Sequence, residues 1–178
     1  MDATAIKDIL GQLLTLLSLP HTDLTVSQEG DITRVDIVSN EASRIIGWHG
    51  ETLNSVQHLL KSIVRSKEKL DRSPFLVLDV DGYRRMQEDK VRRIADQKAD
   101  FVRRTGSRIA LAPMSPYFRR IVHLHVASTP ALADLMTESV GEGEYRQVVM
   151  RLKDEKGKTS GELTPVISKD DGLENLDI

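Results

Sequence analysis

Apolar residues between Thr4 and Leu19 recur at helical spacing, and the spacing predicts a first helix there. Two short runs rich in β-branched residues follow, Leu24 to Gln28 and Ile32 to Val38. Glu29-Gly30-Asp31 between them signals a hairpin. Ser39 or Asn40 is placed to cap a short helix from Glu41 to Ile46, which Gly47 to Gly50 interrupts. A longer helix is predicted from Glu51 to about Ser66, with Leu53, Val56, Leu59, Leu60, Ile63 and Val64 at helical spacing. Beyond the charged stretch Lys67 to Arg72 and Pro74, the apolar run Phe75 to Val80 reads as a strand.

Asp81-Gly82 punctuates the chain, and a long helix is predicted from Tyr83 to Arg104. Tyr83, Val91, Ile94, Phe101 and Val102 fall near one face of it; Arg84, Arg85, Arg92, Arg93 and Arg103 lie toward the other. Thr105-Gly106 stops it, Gly being suited to the left-handed position after a helix. Ile109 to Leu111 is a short strand candidate. Ser115 then reads as an N-cap with Pro116 in the first turn, opening a helix to about Ala127. Ser128-Thr129-Pro130 could cap a further short turn, Glu138 to Gly143 reads as a loop, and Gln147 to Leu152 as a last strand. The pattern divides the chain into residues 1–81, 82–153 and a polar, aperiodic tail, 154–178, expected to be flexible.

Composition narrows the function classes. Cysteine is absent, which excludes a disulfide framework, a thiolate zinc site and a cysteine nucleophile, and suits a reducing cytoplasm. Asp2 and Asp8 stand where a signal peptide would carry basic residues, and no stretch is long and apolar enough to span a membrane. The net charge of −2 hides an asymmetry. Tyr83 to His125 holds eleven Lys and Arg against four Asp and Glu, a local balance of +7. Met1 to Asn40 stands at −4, two against six, and Asp154 to Ile178 at −4, three against seven. The basic middle is the expected electrostatic footprint.

Two constellations carry candidate chemistry. Gly47-Trp48-His49-Gly50 lies between two helices, after a hairpin and before a third strand. Such a loop presents backbone N–H groups at the positive end of the following helix. Glycines without Cβ atoms let a sugar-phosphate backbone approach, the geometry by which a KH module clamps about four nucleotides. Trp48 either stacks on a base or packs on the following helix; the sequence leaves both open. The second constellation is Arg119 and His123, four apart on one helix face, while Phe118, Ile121 and Val122 occupy another. His123 and His125 lie about 200° apart on a helix, too far around to share a metal easily, and His125 is expected to be packed or partner-bonded. Asp79 and Asp81 read as a polar strand end that caps the next helix. No serine–histidine–aspartate set and no phosphate-binding P-loop is present.

The blocks Ile45 to Leu53, Leu78 to Arg84, Val102 to Gly106, Pro113 to His123 and Gly141 to Val149 together resemble the Jag family of bacterial RNA-binding proteins, also called KhpB. The resemblance spans about Ala5 to Leu152. It implies an α/β fold of the α+β kind: a KH-like three-stranded sheet with helices, then a small α/β domain named for its Arg-xxx-His motif. It implies a cytoplasmic, non-enzymatic protein with no cofactor and no metal, linked to cell division, cell shape and envelope growth. The expected partners are single-stranded RNA and a small KH-domain protein (KhpA-like), with no direct membrane insertion. By position, Gly47 to Gly50 would grip the RNA backbone, with Arg119 and His123 forming the second contact; with the basic residues around them, the expected RNA-binding residues are Arg44, Gly47, Trp48, His49, Gly50, Arg84, Arg92, Arg103, Arg104, Arg119, Arg120 and His123. Many members carry an additional N-terminal Jag domain ahead of the KH, and the first helix here is expected to be the KH helix. Trp48-His49 also stands where many members place basic residues. An adaptor at the ribosome or membrane insertase is the alternative reading. A metal-dependent hydrolase using Asp79, Asp81, His123 and His125 is a third.

Overall fold

Asp2 starts the first helix by accepting the Thr4 N–H at 3.0 Å, satisfying one of the donors a helix start leaves open. In the computed structural model, which describes residues 2–153, this helix, α1, runs Ala3–Leu16. It ends sooner than the predicted Leu19 because Ser18 turns left-handed (φ 55°), and the Leu19 and Ser18 N–H groups bond back to Leu14 and Thr15. That pairing closes the last turn without a glycine. The antiparallel strands β1 (Asp23–Glu29) and β2 (Ile32–Val38) follow, then α2 (Ala42–Ile46), a 3₁₀ turn at Trp48–Gly50, α3 (Glu51–Lys67) and β3 (Leu76–Val80). β3 pairs parallel to β2, giving the sheet order β1-β2-β3.

Val35 and Ile37 of β2 meet Leu78 of β3, Leu10 and Leu14 of α1, and Leu53 and Leu60 of α3 in one core. Each such side chain contributes roughly 1.5–3 kcal/mol by leaving water. Leu59 and Ile63, predicted on the apolar stripe, instead stand exposed. The buried stripe of α3 is the narrower set Leu53, Val56, Leu60 and Val64.

α4 runs Tyr83–Thr105, and the chain divides into two compact units within it, between Met86 and Gln87. The second unit continues with β4 (Ile109–Ala110), α5 (Pro116–Ser128), β5 (Leu135–Val140) and β6 (Gln147–Leu152). All pairings are antiparallel, in the order β4-β6-β5. Ser115 caps α5, accepting the Phe118 N–H, with Pro116 in the first turn. Phe118, Ile121, Val122 and Val126 pack from α5 onto Val91, Ala95, Ala99 and Val102 of α4 and onto Val148 and Met150 of β6. β5 corrects the sequence reading, which took Glu138 to Gly143 for a loop. Its first three residues and the adjoining Glu138-Ser139-Val140 form one strand, paired along its length with β6. The predicted tail, 154–178, lies outside the described residues.

Candidate nucleic-acid interfaces

In the first unit the candidate surface is the turn between α2 and α3. Gly47 ends α2 at φ 73°, ψ −168°, a conformation essentially restricted to glycine. A Cβ there would sit 2.1 Å from Thr52 Oγ1. The glycine is therefore demanded by the chain's own packing, a different reason from clearing space for an incoming backbone. His49 (φ 47°) and Gly50 (φ 83°) are both left-handed, and Gly50 is buried. This sequence of angles throws Trp48 and His49 outward. Trp48 is 76% exposed, and it meets the His49 ring edge-on at a centroid distance of 4.6 Å rather than packing on α3. Gly50, at the N-cap of α3, brings no side-chain cap, while Glu51 places a carboxylate in the first turn.

Arg44, also proposed from the sequence, reaches away from the turn. It pairs with Glu41 at 2.7 Å and donates to the Ser18 carbonyl at 3.1 Å. Arg84 is a correction. The sequence put it on the polar face of α4, yet it is only 3% exposed. Its Nε donates to the Leu78 carbonyl at 2.9 Å and its Nη2 to Asn54 Oδ1 at 2.8 Å. The buried Asp79 carboxylate accepts the Arg84 and Arg85 N–H groups at 2.8 and 3.2 Å. Asp79 thus caps α4, as the sequence suggested, and in doing so draws the first turn against the sheet.

In the second unit the candidate face lies on α5. Arg119 and His123 are half-buried rather than freely solvated. Arg119 Nη1 donates to the Met114 carbonyl at 2.7 Å and the Arg146 carbonyl at 3.5 Å. His123 Nδ1 lies 2.7 Å from Thr137 Oγ1, and Nε2 lies 2.9 Å from Ser139 Oγ. Both hydroxyls stand on one side of β5, two residues apart, so an imidazole fits between them as donor to one and acceptor from the other. Burial first, then the nearby Arg119 and Arg146 guanidinium groups, hold the His123 pKa below its ordinary value. The Arg119 pKa is likewise lowered by burial and by Arg146. His123 is therefore a neutral brace between α5 and β5.

The remaining basic candidates divide. Arg103 grips Asp134 with two nitrogens, at 2.8 and 2.6 Å, and donates to the Ala131 carbonyl, so it ties the end of α4 to the start of β5. That bond holds the Asp134 carboxyl below its usual range and raises Arg103. Arg92 pairs with Asp89 at 2.7 Å and Glu88 at 3.1 Å. Arg104 is exposed and touches the Asp100 carbonyl of its own helix at 3.4 Å, and Arg120 is half-buried. His125 bonds Asp96 at 2.7 Å, the partner-bonded role expected for it. Among the described residues no group of three or more His, Cys, Asp or Glu could hold a metal.

Sequence reasoning assigned no role to Arg146 or to Tyr145, which is 82% exposed. The signal available was their place directly after a turn with glycines at 141 and 143, beside a strand read as loop.

The family model of the RxxxH-motif domain, R-3-H, matches residues 89–152. RNA-binding protein KhpB of Clostridium symbiosum is 33% identical over 121 residues, 68% of this chain and 52% of that protein. The RNA-binding protein KhpB of Bacillus subtilis (strain 168) is 31% identical over 136 residues, 74% of this chain and 62% of that protein. That of Lactiplantibacillus plantarum is 28% identical over 154 residues, covering 85% and 46%. The chain spans about half the length of the curated relatives it matches. Over the length it shares with these relatives, the chain is similar to the KhpB (Jag) family, and its residues 89–152 match the RxxxH-motif domain.

Proposed function

We propose that this chain binds single-stranded RNA, using the Trp48-His49 turn in its first unit and the Arg119 face of α5 in its second, and catalyses nothing. The observation that carries the reading is the turn itself. Two rings are held outward by backbone angles that serve no packing purpose for them, beside a helix start whose N-cap brings no side chain. An exposed aromatic at a positive helix end suits a stacked base with its phosphate close by. The relatives' name, RNA-binding protein KhpB, supports the same reading. No helix among the described residues is long and apolar enough to cross a membrane. The proposal extends to a cytoplasmic location, to a small KH-domain protein as partner and to a part in cell division or envelope growth.

The test is titration of the full chain against labelled single-stranded and duplex RNA across a range of salt. Single strands should bind more tightly, with each neutralised phosphate contributing about −0.7 to the log–log salt slope. Trp48→Asp with His49→Asp should abolish binding at the turn, and leave the circular dichroism spectrum and melting temperature close to wild type. A flat salt slope, a preference for duplex, or full affinity in the folded double variant would defeat the reading. Intact RNA affinity after charge reversal of the α5 face, with loss of a protein partner in pull-downs, would favour the adaptor instead.

A further inference from the structure

The turn between β5 and β6 carries a side chain that folding leaves unused. Tyr145 ends the 3₁₀ turn Gly143–Tyr145 and is 82% exposed, though a phenol ring usually gains by packing. Its backbone is firmly set. The Tyr145 N–H bonds the Glu142 carbonyl at 3.2 Å. At Gly141 (φ 92°) a Cβ would sit 3.1 Å from the Tyr145 carbonyl. The next carbonyl, that of Arg146, receives the Met114 N–H at 3.4 Å and Arg119 Nη1 at 3.5 Å. The chain at Tyr145-Arg146 is thus docked against the start of α5, where Arg119 sits.

The charges there are uncompensated. Arg119 bonds only carbonyl oxygens, and the Arg146 side chain is exposed; among the described residues neither guanidinium pairs with a carboxylate. The two are close enough that each lowers the His123 pKa and Arg146 lowers that of Arg119. The same turn carries two acidic residues in sequence, Glu142, which is exposed, and Glu144. Two guanidinium groups, one of them next in sequence to an exposed aromatic residue, match a nucleotide better than a simple anion. Guanidinium binds phosphate oxygens in a fork, and an aromatic face accepts a base. Resting on the RNA-binding reading above, we propose that Tyr145 and Arg146 complete the second interface: Tyr145 stacks on a base, and Arg146 shares the adjoining phosphate with Arg119.

The experiment measures the full chain binding a fluorescein-labelled oligouridine by anisotropy. Tyr145→Ala should weaken binding about 5- to 150-fold, the fold-change that corresponds to roughly 1–3 kcal/mol of stacking. Tyr145→Phe should bind like wild type, since the ring face and not the hydroxyl makes the contact. Arg146→Gln should lower the magnitude of the log–log salt slope by about 0.7. With 5-iodouridine in the RNA, one photo-crosslink should map to Tyr145, apart from any at Trp48. Wild-type binding with unaltered affinity in Tyr145→Ala would overturn this site and leave the RNA reading standing. Equal losses in Tyr145→Ala and Tyr145→Phe would overturn the stacking. A wild-type chain that binds no RNA would overturn both.

Discussion

The two candidate surfaces are built in opposite ways. In the first unit the candidate side chains hang from a turn whose backbone does the structural work: Gly47 and Gly50 fix the path, and Trp48 and His49 are left free of the core. In the second unit the side chains themselves hold the fold. His123 bridges two β5 hydroxyls, Arg119 bonds the Met114 and Arg146 carbonyls, and Arg103 clamps Asp134. A residue of the first kind can be altered without touching stability. One of the second kind cannot, so loss of binding after such a change reports on folding as much as on contact.

The largest effect should come from Gly47→Ala. The added Cβ falls 2.1 Å from Thr52 Oγ1, and alanine must adopt φ 73°, ψ −168°. Overpacking and a glycine-only conformation each cost about 1–3 kcal/mol, so a loss of roughly 2–6 kcal/mol is expected in urea unfolding. Adding Thr52→Ala should recover only a small part of it, by removing the Oγ1 overlap, because the residue-52 Cβ still lies 2.7 Å from the added Cβ and the conformational cost stays. A Gly47→Ala protein as stable as wild type would break the contrast at its first term, because the turn's path would then not depend on glycine.

His123→Ala comes next. It leaves the Thr137 and Ser139 hydroxyls without their shared partner, at a cost of about 1–3 kcal/mol. The wild type should also show a pH dependence that the variant lacks. Burial and two neighbouring guanidinium groups depress the folded His123 pKa, so the unfolded chain binds the proton more readily. The brace therefore contributes fully above the unfolded value near 6.5 and is lost as pH falls below it. Unfolding curves of wild type and His123→Ala at pH 8 and pH 5 test this: the gap between them should narrow at the lower pH. A constant gap would make His123 a surface residue after all.

These residues also show how far the sequence could be read. The first unit was legible almost throughout, because its core positions follow helical and strand periods and its turn is marked by glycines. The second was legible in its helices: Ser115-Pro116 announces α5, and Val91, Ile94 and Val102 keep one face of α4. β5 escaped because only Leu135 is fully buried along it; Glu138 and Val140 face solvent, and the strand runs straight into Gly141. With Glu138 to Val140 read as loop and Leu135 to Thr137 unassigned, the partners of His123, Thr137 and Ser139, could not be foreseen. Arg84 was misjudged for a related reason. A helical wheel assigns faces for a helix in isolation, whereas Asp79 pulls the start of α4 onto the sheet and buries that arginine against Leu78 and Asn54. Arg103 looked like a free cation because its acid, Asp134, is distant in sequence.

Asp134→Asn tests that last pairing with a smaller effect, since both side chains are partly exposed and water screens them. The carboxyl is held below its usual range first by the Arg103 hydrogen bond. Its contribution is present above the unfolded aspartate value near 3.9 and disappears as pH falls through the folded one. Wild type should melt above Asp134→Asn at pH 7, and the two should converge toward pH 2. RNA affinity at neutral pH should barely change. A large loss of affinity with no change in melting would move Arg103 from the bracing group to the binding group.

The smallest effect separates structural from binding roles within a single residue. Glu51 sits exposed in the first turn of α3, where a carboxylate complements the helix's positive end. For the isolated protein that contact is favourable, by about 0.3–1 kcal/mol. For a bound phosphate it is unfavourable, because the carboxylate occupies the same field and repels the ligand. Glu51→Gln should therefore act in opposite directions on the two properties: the melting temperature falls slightly, while RNA affinity rises about two- to fivefold at low salt. Both changes should fade as salt shortens the range of the charge. Trp48→Asp and His49→Asp in the same chain should cancel the gain in affinity, since phosphate no longer reaches the helix end, and leave the stability loss as it was. If Glu51→Gln lowers stability without tightening RNA, phosphate does not approach α3, and the first unit binds through its exposed rings alone.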